Sequence, residues 1–274
     1  MTLLQAVTIA VVQGATEFLP VSSSGHVALS GILLGLEQTP LDFVVAIHVG
    51  TLVSVLVYYR ADLWAMFRSL LPLGGDDPQR PMFRRLFGYL LLATIPAAVA
   101  GLLLEDTVDA AFGDIRMVGV CLLVTAGVLA LSSRLNGPRD MAQTGWRQAL
   151  VVGVAQAVAL LPGVSRSGMS IAGGLATGFS REWAPRFAFL LSVPVIVGGA
   201  ALEGKHVLEG DVSAGFDALT YGVAMLVAAV VGYLSIVLVI NSVKRGSLLY
   251  FSAYCAAVGV AAIVSGFVLS PNPL

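Results

Sequence analysis

Charge is what this sequence has least of. Only 11% of its 274 residues are Asp, Glu, Lys or Arg, while 57% are hydrophobic and the mean hydropathy is +0.90. A soluble domain carries about 25% charged residues, and a chain this poor in polar side chains could not cover its own core in water. The net charge of −1 leaves no basic field for nucleic acid and no acidic tail. Cysteine is almost absent too: Cys121 and Cys255 both lie in apolar runs with no spacing motif, which argues against a disulfide framework or a metal cage. Neither Lys nor Arg occurs before Arg60, so the apolar N-terminus lacks the positive region of a secretory leader and is expected to remain in the mature protein.

What the chain has instead is long apolar runs. Crossing ~30 Å of hydrocarbon takes about 20 mainly apolar residues, and six stretches qualify: 41–59, 86–104, 117–133, 187–203, 218–240 and 248–269. Two others, 2–36 and 148–178, are too long for one span and break in the middle, at Pro20-Val-Ser-Ser-Ser-Gly25 and at Pro162-Gly-Val-Ser-Arg-Ser-Gly168. Short apolar segments flanking such a break predict a re-entrant helical hairpin, whose irregular tip is tolerated at membrane depth only inside protein or beside a wet cavity.

Charge placement orients the spans. Arg60, Arg68, Arg80, Arg84 and Arg85 fall in loop 60–85, and Arg134, Arg139 and Arg147 in loop 134–147. Arg181 with Arg186, and Lys244 with Arg245, complete the basic set. Alternate loops are acidic, with Glu105, Asp106, Asp109 and Asp114 in one and Glu203, Glu209 and Asp211 in the other; Arg116 and Lys205 are the exceptions. Basic loops in the cytoplasm put both termini outside. The first hairpin then enters from outside and the second from the cytoplasm. The expected fold is therefore an all-α polytopic membrane protein forming a single membrane domain over 1–274. It is an inverted-topology repeat, approximately 1–136 and 144–274, each half one re-entrant hairpin plus three transmembrane helices. At an offset of 143 residues, Gln13, Val21, Ser22, Ser24 and Gly25 meet Gln156, Val164, Ser165, Ser167 and Gly168. Interrupted segments matched between inverted halves point to a site at the midplane.

Chemistry concentrates in the two tips. Gln13, Thr16, Glu17, Ser22, Ser23, Ser24 and His26 belong to the first, and Gln156, Ser165, Arg166, Ser167 and Ser170 to the second. An ionisable residue inside apolar sequence is functional by default and needs a partner, and inverted hairpins would bring Glu17 to Arg166. Gln13 and Glu17, spaced i, i+4, share a helix face; a carboxylate with an amide oxygen suits Mg²⁺ or Ca²⁺ rather than zinc, although Gln13 fits an inter-helix hydrogen bond equally well. The helices starting near Gly25 and Gly168 would aim free amides and a positive dipole end at an anion. Arg166 adds a planar fork suited to phosphate. His26, beside three serines, could serve as general base, leaving-group acid or nucleophile. His48 stays open between the cavity and a neighbouring helix, and His206 reads as an exterior-loop residue. The residues alone leave a transporter of a phosphorylated lipid or anion as the rival to a hydrolase.

Gln13-Gly-Ala-Thr-Glu17-Phe-Leu-Pro-Val-Ser-Ser-Ser-Gly-His26 resembles the first signature of the undecaprenyl-diphosphate phosphatase family, the bacitracin-resistance type, and Leu161-Pro-Gly-Val-Ser-Arg-Ser-Gly168 resembles its second. The resemblance covers the whole length. It implies hydrolysis of undecaprenyl diphosphate to the monophosphate and inorganic phosphate in the bacterial inner membrane, with a divalent cation, recycling the lipid carrier for cell-wall synthesis. Its partners would be the lipid substrate and the bilayer, with a homodimer left open. It makes Glu17 the essential acid and matches Ser22, Ser23, Ser24, Gly25 and His26 to the catalytic strip. Ser165, Arg166, Ser167, Gly168 and Ser170 match the phosphate-binding strip. Gln13 stands where many members have a second Glu, and Ser170 where Thr is common. The implied chemistry has Ser23, or else His26, attacking the terminal phosphorus, with water activated through His26 or Glu17 as the close alternative.

Overall fold

A computed structural model of the chain describes residues 1–36, 39–71, 77–104, 114–208 and 218–269. These residues form eleven helices: α1 (Leu3–Phe18), α2 (Ser23–Leu33), α3 (Leu41–Tyr58), α4 (Arg60–Leu70), α5 (Arg80–Leu103), α6 (Ile115–Ser132), α7 (Trp146–Val158), α8 (Arg166–Ala176), α9 (Trp183–Leu208), α10 (Ala218–Lys244) and α11 (Leu248–Leu269). Among them there is no strand, only an isolated bridge between Arg139 and Phe179. Six helices, α3, α5, α6, α9, α10 and α11, are long and apolar enough to cross a membrane, as the six runs predict. The exposed faces agree. On α10, Leu226, Val230, Leu234 and Leu238 repeat every fourth residue and are all exposed, a continuous apolar stripe that suits lipid and not water.

The two broken segments become the pairs α1/α2 and α7/α8, and each break has a local cause. Thr2 and Gln5 start α1 with a reciprocal capping box. The helix stops at Phe18 because Pro20 drives the preceding Leu19 into extended backbone, ψ 138°. After α7, Gly163 turns the chain at φ +93°, and a Cβ there would lie 2.3 Å from the Val118 carbonyl oxygen, so both the conformation and the space require glycine.

Packing crosses between the two ends of the chain. The first helix of each pair lies on a span of the other half, α1 on α10 and α7 on α5; α10 also packs on α3, α5 on α9, and α6 on α11. Small residues allow these approaches. Gly119 of α6 and Gly259 of α11 face each other, each placed so that a Cβ would sit 2.8 Å from the other's carbonyl oxygen.

Two expectations change. The stretch 60–85 is not a plain loop: Asp62, Met66 and Ser69 are spaced to bury one face of α4, and α5 already begins at Arg80. His206, assigned to an exterior loop, lies within α9, which outruns its predicted end by continuing to Leu208. Of the acidic residues, Glu105, Asp106, Asp109, Glu209 and Asp211 lie outside the described residues. The basic segments meet at one end of the molecule. Arg186 forms a two-pronged ion pair with Asp62, Nε to Oδ2 at 3.0 Å, Arg181 donates to the carbonyls of Ser133 and Leu135, and Lys244 pairs with Glu182.

The crossing of α5 and α7 is tight enough to test. A Cβ on Gly153 would lie 2.4 Å from the Ala93 carbonyl oxygen, whereas Gly127 has open space around it. Gly153→Ala should cost about 1–3 kcal/mol through overpacking, and Gly127→Ala should be neutral or gain up to ~1 kcal/mol. Unfolding of the two variants in detergent checks this, and equal midpoints would contradict the packing.

Candidate functional site

The tips of α1/α2 and α7/α8 touch. Ser167 Oγ donates to the Leu19 carbonyl at 3.0 Å. A Cβ on Gly168 would lie 3.2 Å from the Pro20 Cβ, and one on Gly25 would approach Gly163 Cα at 3.9 Å. At this junction the Glu17 side chain is 1% exposed and makes an ion pair, through Oε1, with Arg166 Nη2. The predicted pair thus forms between residues 149 positions apart.

The other carboxylate oxygen is equally engaged. Gln13 Nε2 donates to Glu17 Oε2 at 2.8 Å, and so does Ser23 Oγ, also at 2.8 Å. Since Glu17 only accepts, the Gln13 amide must present its nitrogen, which leaves Gln13 Oε1 buried without a partner. His48 lies on the same side: its Nδ1–H donates to the Val44 carbonyl at 2.8 Å and Nε2 stands 3.7 Å from Glu17 Oε2. The choice left open for His48 resolves towards the site.

The two serine strips differ. Ser165 caps α8, its Oγ accepting from the Gly168 amide at 3.1 Å and lying 3.2 Å from Ser167 Oγ. Behind it, Thr125 of α6 donates to the Gly163 carbonyl and accepts from the Ser165 amide, both at 3.1 Å. The α2 end is not capped in this way. Ser22 sits at φ 72° and ψ 95°, its hydroxyl 3.4 Å from that of Ser24, and no side chain caps the α2 amides. An uncapped helix start is an anion-binding end. Of the four buried side-chain polar atoms without a partner among the described residues, three lie in the two broken segments, Gln13 Oε1, Gln156 Nε2 and Ser170 Oγ, and the fourth is the Tyr59 hydroxyl.

The structure therefore joins Gln13, Glu17, Ser23 and Arg166 directly and places Ser22, Ser24, Gly25, Ser165, Ser167 and Gly168 along the touching tips. His26, three residues beyond Ser23 on α2, bonds to other partners. Its Nδ1–H donates to the Ser22 carbonyl at 2.8 Å and its Nε2 meets the Tyr254 hydroxyl of α11 at 2.8 Å. A hydroxyl hydrogen-bonded to a buried carboxylate, opposite an arginine fork, is an arrangement suited to phosphoryl transfer. Tyr254 and Thr125 escaped the reading of the sequence. Each is a single hydroxyl in an apolar span, a signal no stronger than that of Ser235 or Ser252, which bond to the carbonyls of Val231 and Ala126.

Among the described residues no three of His, Cys, Asp and Glu cluster as a metal site. Glu17 supplies the carboxylate at the junction, and the orphaned Gln13 Oε1 is a neighbouring acceptor that a cation would satisfy. These two oxygens suit a hard divalent ion whose remaining ligands come from elsewhere.

The model of a family described as Bacitracin resistance protein BacA matches residues 6–261 of the chain. The chain is similar to an undecaprenyl-diphosphatase of Desulforapulum autotrophicum, 39% identical over 278 residues covering 98% of this chain and 100% of the relative. It is similar also to proteins of the same name from Methanosphaera stadtmanae, 38% identical over 97% of this chain and 99% of the relative, and from Bacteroides fragilis, 38% identical over 95% and 97%.

The brace behind the second tip offers a test that needs no substrate. Thr125→Val keeps the shape but strands the Gly163 carbonyl and the Ser165 amide, which should lower unfolding stability by about 1–3 kcal/mol. Thr125→Ser should restore most of it. A valine variant as stable as the parent in detergent would show that the hydroxyl braces nothing.

Proposed function

The chain belongs to the Bacitracin resistance protein BacA family, and from that membership we propose that the two touching tips are the active site of an undecaprenyl-diphosphate phosphatase. The reaction is hydrolysis of undecaprenyl diphosphate to the monophosphate and inorganic phosphate, at a site inside a multi-pass membrane protein. The observation that carries this reading is the buried carboxylate of Glu17, held at once by the Ser23 hydroxyl of its own tip and by Arg166 of the other. The names of the relatives favour hydrolysis over a transporter built from the same residues.

Arg166, the uncapped amides of α2 and the hydroxyls of Ser22, Ser24, Ser165, Ser167 and Ser170 hold the diphosphate, and their charge and donors offset the charge that spreads over the transferring group. Ser23 Oγ attacks the terminal phosphorus. Its proton passes to Glu17, to which it is already hydrogen-bonded, the bridging P–O bond breaks and polyprenyl monophosphate leaves. Water then cleaves the Ser23–phosphate bond, giving up a proton as it attacks, and the departing Ser23 Oγ takes its own proton back from Glu17. His26 takes that proton at Nε2, since Nδ1–H is committed to the Ser22 carbonyl. This assignment prefers Ser23 to His26 as nucleophile because Ser23, not His26, touches the carboxylate.

Glu17 and Gln13 Oε1 would hold the divalent cation, Mg²⁺ or Ca²⁺, together with oxygens of the substrate. Bound there, it would neutralise diphosphate charge and make the leaving monophosphate a better leaving group.

The finer architecture belongs to the same proposal. The packing supports an inverted repeat of 1–136 and 144–274. Exchanging α1 with α7, α3 with α9, α5 with α10 and α6 with α11 maps the α1–α10 contact onto α7–α5, and maps α3–α10 onto α9–α5. The reciprocal Gly119–Gly259 approach is what an axis between α6 and α11 would produce. Both helix pairs are read as re-entrant, entering from opposite faces, with the gathered basic end in the cytoplasm and both termini outside. A homodimer would add no group to this site, since one chain supplies every residue named.

The experiment is phosphate release from a polyprenyl diphosphate by the purified protein in detergent. Arg166→Ala should slow release on the order of 10²–10³-fold, Glu17→Ala should slow it at least as far, and a chelator should stop it until Mg²⁺ or Ca²⁺ is restored. A wild-type protein that binds the lipid and releases no phosphate would overturn the reading.

A further inference from the structure

The contact between His26 and Tyr254 joins residues 228 positions apart, from α2 and the last helix, at 2.8 Å. The rings also stack, with centroids 5.6 Å apart and planes within 16°. Neither motif contains Tyr254. Its surroundings suggest more than packing. Helix α8 packs against α6, yet the corresponding pair in the other half, α2 and α11, has no comparable packing. Here the hydrogen bond and the stack tie α2 to α11, and Tyr254 is 45% exposed on a helix whose neighbouring Cys255 is fully buried.

The chemistry of the two bonds on the imidazole is definite. A carbonyl oxygen only accepts, so the Ser22 carbonyl fixes the proton on Nδ1 in every charge state of His26. Nε2 then carries the lone pair of the neutral ring and faces a hydroxyl, which both donates and accepts. The O–H donates to bare Nε2, and the same oxygen accepts from Nε2–H once the ring is protonated.

Resting on the reading of the site as a phosphatase, we propose that Tyr254 is a positioning residue for His26, holding the imidazole in one tautomer and one plane and remaining its partner when Nε2 takes up the proton of the attacking water. As Nε2 takes up the proton, the hydroxyl turns from donating to the bare nitrogen to accepting from Nε2–H, with no net change in Tyr254 and one proton gained by His26. The tyrosine acts through the histidine. Its effect belongs to the step in which His26 works and not to binding of the lipid.

Four forms of the full-length protein decide the matter: wild type, Tyr254→Phe, His26→Ala and the double variant, each assayed for phosphate release and for unfolding in detergent. General acid–base groups contribute ~10²–10⁴-fold, so losing the partner of one should lower kcat about tenfold. KM and the unfolding midpoint should stay unchanged, because phenylalanine keeps the stack. In the His26→Ala background the second substitution should cause no further loss. A Tyr254→Phe enzyme with wild-type kcat, or a double variant slowed by the full additional factor, would overturn the proposal while leaving the phosphatase reading intact. A readout independent of turnover uses diethyl pyrocarbonate, which reacts with unprotonated imidazole nitrogen. Tyr254→Phe should speed modification of His26 and leave His48 unchanged. An unaltered His26 rate would remove the contact from consideration even if the wild type released no phosphate.

Discussion

The ion pair between Glu17 and Arg166 is the constraint around which this molecule is arranged. An isolated charge at membrane depth costs several kcal/mol, and a buried pair rarely repays the removal of two ions from water. Such a pair is therefore a poor device for stability alone. It does, however, dictate geometry: two tips from distant parts of the chain must meet end to end, and every helix that carries them must allow it. The α1–α10 and α7–α5 crossings, made close by glycine at Gly14 and Gly153, hold the two pairs in that register. With substrate absent, each charge satisfies the other. On the proposed reading, a diphosphate brings its own negative charge to Arg166, so binding would be an exchange of partners that never leaves the arginine bare.

The two tips share a pattern but not a condition. The second is braced: Thr125 satisfies both sides of its turn, Ser165 caps its helix, and Gly163 turns where only glycine fits. The first is open, with Ser22 in a backbone region that costs a non-glycine residue about 1–3 kcal/mol, no side-chain cap, and hydroxyls turned to one another or to Glu17. Strain and uncapped amides collect on the tip that carries the proposed nucleophile, and satisfied backbone on the tip that carries Arg166. On the proposed mechanism, a braced tip facing an open one that carries the nucleophile suits phosphoryl transfer, where positioning and charge carry most of the rate.

Much of this was legible beforehand because hydrocarbon is a demanding solvent. Apolar runs long enough to span had to be helices, and the same six appear as α3, α5, α6, α9, α10 and α11. Pro20 and Pro162 interrupt runs that would otherwise be single helices, so both breaks could be read directly. Glu17 and Arg166 stood out as charges in apolar surroundings, and their pairing followed. What stayed hidden was of two kinds. Helix α4 was lost because its eleven residues mix charge with Leu63, Met66 and Phe67, and a short amphipathic segment beside a span looks like any basic loop. Tyr254 and Thr125 were lost because one hydroxyl on a long apolar helix is usually satisfied by that helix's own carbonyls. Only the packing of α11 and α6 against the tips reveals where these two point.

Because the tips belong to opposite ends of the chain, the site has an order of assembly. Synthesis delivers Glu17, Ser23 and His26 first, Arg166 with its serine cradle well after, and Tyr254 with the final helix. A chain halted after α6 would carry Ser23 and Glu17 but neither Arg166 nor the second serine strip, and the carboxylate would lack its guanidinium. On the proposed mechanism, chemistry on the lipid would begin only once the second tip has closed on the first, so a copy ending before Arg166 would be inert by construction.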